Sequence, residues 1–280
     1  MVSPHLDDAV LSVGGSIAAW TSAGTRVVVA SVYTTGPALD EIEPSMRQFA
    51  DYATRRAEDI AACSTVGAEV RRLDQVERAF RRPFLTGWSF FSTPPDRTGF
   101  ATLDVVTRAL AVLDVLDPER ILIPFGIGNH IDHVEAMVAG VDWALARGWL
   151  DRVWFYEDFY ALSNAMRRAH PIASRRQWRG RWIESPLLRA RRLGVILRTI
   201  AAARRGPSID TYWPAALRTA RWHQHSVDVR AHERTKLAAI ARYPSQTRAF
   251  GGLSGITRAL RSYHALWGGG EPFWIPALAG

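Results

Sequence analysis

Two short clusters carry most of the chemistry this chain could do: Ser3-Pro4-His5-Leu6-Asp7-Asp8-Ala9 and Asn129-His130-Ile131-Asp132-His133. Each sets imidazole and carboxylate groups within one turn of an expected helix start. His5 and Asp8 are three residues apart, as are His130 and His133, so on a first helical turn each pair points to one side. Four groups can then converge on one divalent cation. A catalytic zinc usually takes three protein ligands at about 2.0 to 2.2 Å and keeps a position open for water. One of the four is thereby left for another task such as proton transfer, and spacing alone does not say which. This is the equipment of a metal-dependent hydrolase.

Each cluster also has a plainer reading. Asp7 and Asp8 would suit the partial positive charge at a helix N-terminus, and Asn129 with Asp132 would serve as an N-cap and its capping-box-like partner. An isolated His-x-x-His is a weak metal signal. Two clusters are harder to dismiss, because the apolar run between Arg120 and Pro124 reads as a buried strand just ahead of the second. Both would then lie at the strand-to-helix edge where open α/β sheets bind ligands.

The elements that must position them alternate. A helix is expected from Asp8 to Ser22, a strand from Arg26 to Tyr33, a helix from Asp51 to Val66 and a short strand from Glu69 to Leu73. A helix from Leu103 to Leu116, the Ile121 strand, the His130 helix and a strand from Arg152 to Tyr156 follow. This order predicts an α/β fold: a Rossmann-like, mostly parallel sheet with helices on both faces and an elaborated, arginine-rich C-terminal part. The division expected is 1–165 as catalytic core, 166–210 as a basic helical insertion and 211–280 as completion of the same domain.

The paired motifs Pro4-His5-x-Asp7-Asp8 and His130-x-Asp132-His133 resemble the LmbE-like, or PIG-L-type, family of zinc-dependent N-deacetylases, best over the first half of the chain. The resemblance implies zinc, or another divalent metal, held by His5, Asp8 and His133. It implies Asp7 as general base, His130 as the group that stabilises the oxyanion or protonates the leaving amine, and Asp132 as the partner of His130, raising its pKa. Arg55 and Glu58 resemble a sugar-contacting Arg-x-x-Glu helix, against the alternative of a surface ion pair. Trp88, in the aromatic stretch Phe84 to Phe91, could stack on a sugar or lie in the core. Lys236 and Tyr243-Pro-Ser-Gln246 are similar to a C-terminal pattern of antibiotic-type members. Two departures stand out. Some members carry a tyrosine where this chain has Gly128, and the strand ahead of His5 is represented by Met1-Val2-Ser3 alone, which threatens loose ligands.

Composition agrees with a soluble enzyme. At 280 residues and 48% hydrophobic content the chain can bury a substantial core. The single cysteine, Cys63, excludes an internal disulfide and reads as a buried small hydrophobe. No apolar run of about 18 residues and no basic-then-apolar leader is visible, so a cytoplasmic site is expected. Charge is local: residues 167–205 hold 12 arginines against Glu184, while the rest of the chain is slightly acidic. From Ser185 a helix could carry Leu193, Ile196, Leu197 and Ile200 on one face with Arg189, Arg191, Arg192 and Arg198 around it. Such a segment suits an anionic membrane surface, with peripheral attachment, or an anionic substrate; it could also be a solvated helix. No nucleic-acid motif accompanies it. Trp222-His223-Gln224-His225 alternates as a strand would and could hold a second metal only with Asp228 as carboxylate. His170, His232 and His264 stand alone.

These readings converge on a metal-dependent hydrolase removing an N-acetyl or other N-acyl group from an N-acetylglucosaminyl-type sugar on a larger glycoconjugate, such as a natural product or lipid-linked sugar. The alternatives are deacetylation of a small thiol-precursor glycoside, or a non-catalytic sugar- or anionic-membrane-binding protein on the same fold. Oligomeric state is left open.

Overall fold

The computed structural model describes residues 1–44, 46–85, 87–176, 193–250 and 252–278. Parallel strands β1 (Val2–Ser3), β2 (Val28–Thr35) and β3 (Glu69–Val76) form one sheet, with Val2 opposite Ala30 and Val28 opposite Glu69. In a second sheet β4 (Ile121–Pro124) and β5 (Val153–Tyr156) run parallel, and β7 (Gly270–Ala277) and β6 (Arg221–Asp228) continue it antiparallel. The sheets abut along β1 and β4, where the Tyr156 hydroxyl donates to the Val2 carbonyl at 2.9 Å. The order is therefore β3-β2-β1-β4-β5-β7-β6, and the chain reverses direction of travel between β1 and β4. At such a switch point the helices after neighbouring strands diverge and leave a crevice at the strands' carboxyl ends.

Helices α1 (Asp8–Ser22) and α4 (Ile131–Ala146) begin at that crevice, and α2 (Tyr52–Thr65) and α3 (Leu103–Leu110) flank the sheet. β4 is a continuous apolar run because it is covered on both faces: Ile121, Leu122 and Ile123 are all buried. Ile121 and Ile123 pack with Val134, Met137, Val138 and Val141 of α4 and Val153 and Phe155 of β5, and Leu122 packs on the other face with Val13, Tyr156 and Phe273; each fully buried large aliphatic is worth about 1.5 to 3 kcal/mol. Cys63 is buried as expected.

Several boundaries differ from expectation. The helix expected over Leu103 to Leu116 gives way after Leu110 to a tighter turn over Ala111–Leu116, which ends at Asp117 with φ 36°. Trp222-His223-Gln224-His225 is on a strand as its alternation suggested, since residues 221–228 pair along β7, and a short helix α6 (Glu233–Ile240) follows. Of the arginine-rich helix, α5 (Leu193–Arg205) is described; the expected start at Ser185 and Arg189, Arg191 and Arg192 lie outside the described residues. A final helix, α7 (Gly252–Leu266), and β7 had no sequence expectation. No helix among the described residues is long and apolar enough to cross a membrane.

Candidate active site

The two-residue strand β1 does not leave the first motif loose. Ser3 Oγ donates to the His5 carbonyl at 2.7 Å and accepts from the Ala9 amide at 3.1 Å, and the His5 amide donates to Asp8 Oδ2 at 2.9 Å. These bonds tie the turn to the start of α1. The second motif follows a turn through Gly126, Gly128 and Asn129, all at positive φ, which sets His130 at the N-cap of α4. A Cβ on Gly128 would lie 3.1 Å from Tyr160 Cβ and 3.2 Å from Met166 Sδ, so this position has no room for a larger residue. Tyr160 occupies that side, its ring stacked 5.7 Å from His130. Asn129 donates to the Ala203 carbonyl at 2.7 Å, which fastens the end of α5 to the motif.

His5, Asp8 and His133 meet below the crevice, all buried, with one donor atom from each within 4.8 Å of the others. Asp8 Oδ2 lies 2.9 Å from His5 Nδ1 and 3.2 Å from His133 Nε2. His133 Nε2 nevertheless makes no hydrogen bond, although it is buried. A buried ring nitrogen aimed at a carboxylate without bonding it, in a set of two nitrogens and one oxygen, fits a divalent metal such as zinc. His133 Nδ1 is held by Asp158 Oδ1 at 2.7 Å, and Asp158 Oδ2 accepts from the Ile127 amide at 2.9 Å. That carboxylate fixes the imidazole with Nε2 facing the cluster, the usual outer support of a metal-binding histidine.

Asp132 departs from expectation. It accepts from His5 Nε2 at 3.2 Å and from the Arg78 amide at 3.1 and 3.2 Å, not from His130. His130 Nδ1 has no partner among the described residues. Its pKa is lowered well below the ordinary histidine value, by burial first and then by the positive charge of His133 and His5, which together outweigh the upward pull of Asp132 and Asp8. The His130 ring is wedged among Phe90, Phe91 and Tyr160.

The other ionisations follow from the same crowding. Burial opposes charge on His5 and His133, yet Glu77, Asp8 and Asp132 hold His5 well above its ordinary value, and Asp8 and Asp158 push His133 up to about 9. Asp8 is held well below the carboxylate range despite burial, because His133 and His5 face it. Asp7, on the same turn, is pushed up to about 6 by burial and the adjacent Asp8 charge, against the pull of Arg55 and His5. Two neighbouring carboxylates are thus driven apart in acidity, the pattern that separates a ligand from a proton carrier.

A cavity of about 470 Å³ opens over this cluster. Its lining includes His5, Asp7, Asp8, His130 and Asp132, together with Arg55, Glu77, Phe90, Tyr160 and Gln246. Arg55 is buried and bonded to the Phe49 carbonyl at 2.7 Å and to Glu77. Glu58 is not its partner, on the surface or elsewhere: it turns away to accept from the Ser245 amide at 3.0 Å and hydroxyl at 2.5 Å. The side chain of Trp88 lies outside the described residues. His223 and His225 are exposed on β6 and belong to neither metal-capable group found among the described residues, His5-Asp8-His133 and His5-His130-Asp132. Sequence reasoning missed Glu77, Asp158 and Tyr160. Glu77 directly follows β3 and Asp158 lies two residues past β5, so their signal was a carboxylate near a strand's carboxyl end.

Fold and site together define a Rossmann-like α/β protein with a buried, metal-capable His/Asp cluster at the switch point of its sheet. The chain belongs to the PIG-L family: the family profile described as GlcNAc-PI de-N-acetylase matches residues 1–144. Among curated proteins it is similar to a 1D-myo-inositol 2-acetamido-2-deoxy-alpha-D-glucopyranoside deacetylase of Actinosynnema mirum, 27% identical over 144 residues. That alignment takes in 49% of this chain and spans only 50% of the relative. Among solved structures, the deacetylase-bog complex from the teicoplanin biosynthesis pathway matches with TM-score 0.68 and 22% identity over 99% of this chain and 97% of that one. The A40926 pseudoaglycone deacetylase matches with TM-score 0.64 and 21% identity over 100% and 96%. At these identities the structures establish a shared fold.

Proposed function

We propose that this protein is a metal-dependent hydrolase that removes an N-acetyl group from an N-acetylglucosaminyl-type amino sugar carried on a larger glycoconjugate, such as a natural product or lipid-linked sugar. The observation that carries the reading is the buried convergence of His5, Asp8 and His133 beside Asp7 and His130, which remain available in one cavity. His5, Asp8 and His133 would hold zinc or another divalent ion. When bound, the metal polarises the amide carbonyl and makes water acidic enough to serve as a nucleophile near neutral pH.

The chain's own groups move the protons. Asp7 accepts a proton from the attacking water and returns it to the leaving nitrogen as the C–N bond breaks, giving acetate and the free amine. His130, fixed by its aromatic neighbours, donates a hydrogen bond to the developing oxyanion. Asp132 steadies His5, and Asp158 steadies His133. Phe90 and Tyr160 wall the cavity, reduce its water and offer flat faces to a pyranose. The full-length likeness to deacetylases described for teicoplanin biosynthesis and the A40926 pseudoaglycone supports a bulky glycoconjugate over a small thiol-precursor glycoside. The arginine-rich segment 166–210 would hold an anionic part of such a molecule or rest on an anionic membrane, and its α5 end reaches the site through Asn129.

The test is acetate release from a panel of N-acetylglucosaminyl compounds, before and after chelation and with zinc restored. Release that chelation abolishes and zinc restores is the expected result. Undiminished release in metal-free protein overturns the mechanism, and no release from any amino-sugar amide overturns the substrate class.

A further inference from the structure

Glu58 and the Tyr243-Pro-Ser-Gln246 motif, which the reaction above does not use, are joined in the structure. Glu58 is buried on α2 and accepts from both the amide and the hydroxyl of Ser245. The serine hydroxyl has one hydrogen, and Glu58 takes it; toward any other neighbour Ser245 Oγ can act only as an acceptor. Gln246 Nε2 lies 3.0 Å from that oxygen. The amide is therefore oriented with its nitrogen toward Ser245, and its carbonyl Oε1 is left without a hydrogen-bond partner among the described residues. Gln246 is itself 8% exposed and lines the same cavity as Asp7, Asp8 and His130. An amide oxygen that is oriented at a cost in side-chain freedom, on a residue lining the cavity, and left unpaired is the arrangement of a ligand-reading group.

We infer that Gln246 is a specificity-determining residue whose Oε1 accepts a hydrogen bond from a ring hydroxyl of the amino sugar, with Glu58 and Ser245 as the positioning residues that set its amide. This rests on the amino-sugar reading of the site. Glu58 then acts on the sugar through Ser245 and Gln246 rather than by touching it. The reacting acetamido group sits on C2, so the hydroxyl read is one of those on C3, C4 or C6.

The experiment compares methyl N-acetylglucosaminide with its 3-deoxy, 4-deoxy and 6-deoxy analogues on the metal-loaded wild type, Gln246→Leu and Ser245→Ala. In the wild type one analogue should lose about tenfold in kcat/KM, the size of one neutral hydrogen bond. In Gln246→Leu the parent sugar should fall to the level of that analogue, chiefly through KM, so that the penalty for the missing hydroxyl disappears while the other analogues keep theirs. Ser245→Ala should show the same selective pattern at smaller size. Loss of activity spread equally over all four sugars, or a deoxy penalty unchanged in Gln246→Leu, overturns the inference and leaves the deacetylase reading standing. Failure of the wild type to hydrolyse any of the four while releasing acetate from other amides overturns the amino-sugar reading, and this inference with it.

Discussion

At the scale of single residues the site separates groups by what already holds them. Asp8 and His133 face each other across the metal-capable cluster, whereas Asp7 lies one position away with its carboxylate open to the cavity. Asp8→Ala and His133→Ala should therefore lower bound metal, measured by elemental analysis of purified protein, from near one per chain. Asp7→Asn should keep its metal and lose on the order of 100-fold or more in turnover, as expected when a general base is removed. Metal loss in Asp7→Asn would exchange the roles of the two aspartates. Sequence reasoning did not single out Asp158 as a site residue, yet its carboxylate orients His133. Asp158→Ala should weaken zinc affinity by about 10- to 100-fold, read by competition with a chelating dye. Unchanged affinity would mean that packing alone orients His133.

At the scale of elements, the helix that presents Asp8 is broken. Val13 leaves the helical region, at φ −133° and ψ 27°, and the break frees backbone groups that a continuous helix would pair. One buried ion pair satisfies them. Lys236 Nζ donates to the Ser12 carbonyl at 3.0 Å, while Glu271 accepts from the Gly15 amide at 3.1 Å and the Ser16 amide at 2.7 Å. The two side chains meet at 2.6 Å, fully buried. A Cβ at Gly15 would lie 2.8 Å from Val229 Cβ and 2.9 Å from Glu271 Oε1, so the close approach requires glycine. Lys236→Met should cost about 3 to 5 kcal/mol in urea unfolding, because it strands the Glu271 charge in the interior. A loss below about 1 kcal/mol would show that Glu271 takes up a proton or reaches water instead. Sequence patterning expected a continuous α1 with the right ends; the break inside it depends on residues more than 200 positions away.

At the scale of the whole molecule, the C-terminal half closes the site and binds itself to the sheet through polar groups in the core. His170 is 2% exposed; its Nδ1 accepts from the Ile172 and Ala173 amides, so the proton sits on Nε2, which donates to the Phe125 carbonyl at 3.0 Å. This neutral ring has its pKa lowered to about 3, by burial above all. Between that value and the ordinary 6.5 the unfolded chain binds a proton that the folded one refuses. Stability from His170 is thus fully present above pH 6.5 and falls as pH drops toward 3, by about 1.4 kcal/mol per pH unit at most. Denaturant melts from pH 7 to 4 should show His170→Gln with a shallower loss than the wild type. Parallel curves would assign the acid sensitivity to other groups.

Local patterns settled a good part of this protein before any tertiary contact formed. Strand-helix alternation, the buried Ile121 strand and the ends of α1 arise from periodicity and flanking residues, which act over a few positions. The presence of His5, Asp7, Asp8, His130 and His133 at helix starts was legible for the same reason. Which group pairs with which was decided by packing. Asp132 sits two residues from His130 yet bonds to His5, 127 positions away, because the switch point brings β1 and β4 side by side and turns that carboxylate across the gap. Arg55 and Glu58 share a helix and, three residues apart, one side of it, yet they part company, one to Glu77 in the cavity and the other to Ser245, because each meets a different segment of the folded chain. Sequence determines which chemical groups are present and which local elements carry them; the burial of charges beside distant partners, which sets their ionisation and their tasks, exists only once the chain has folded back on itself.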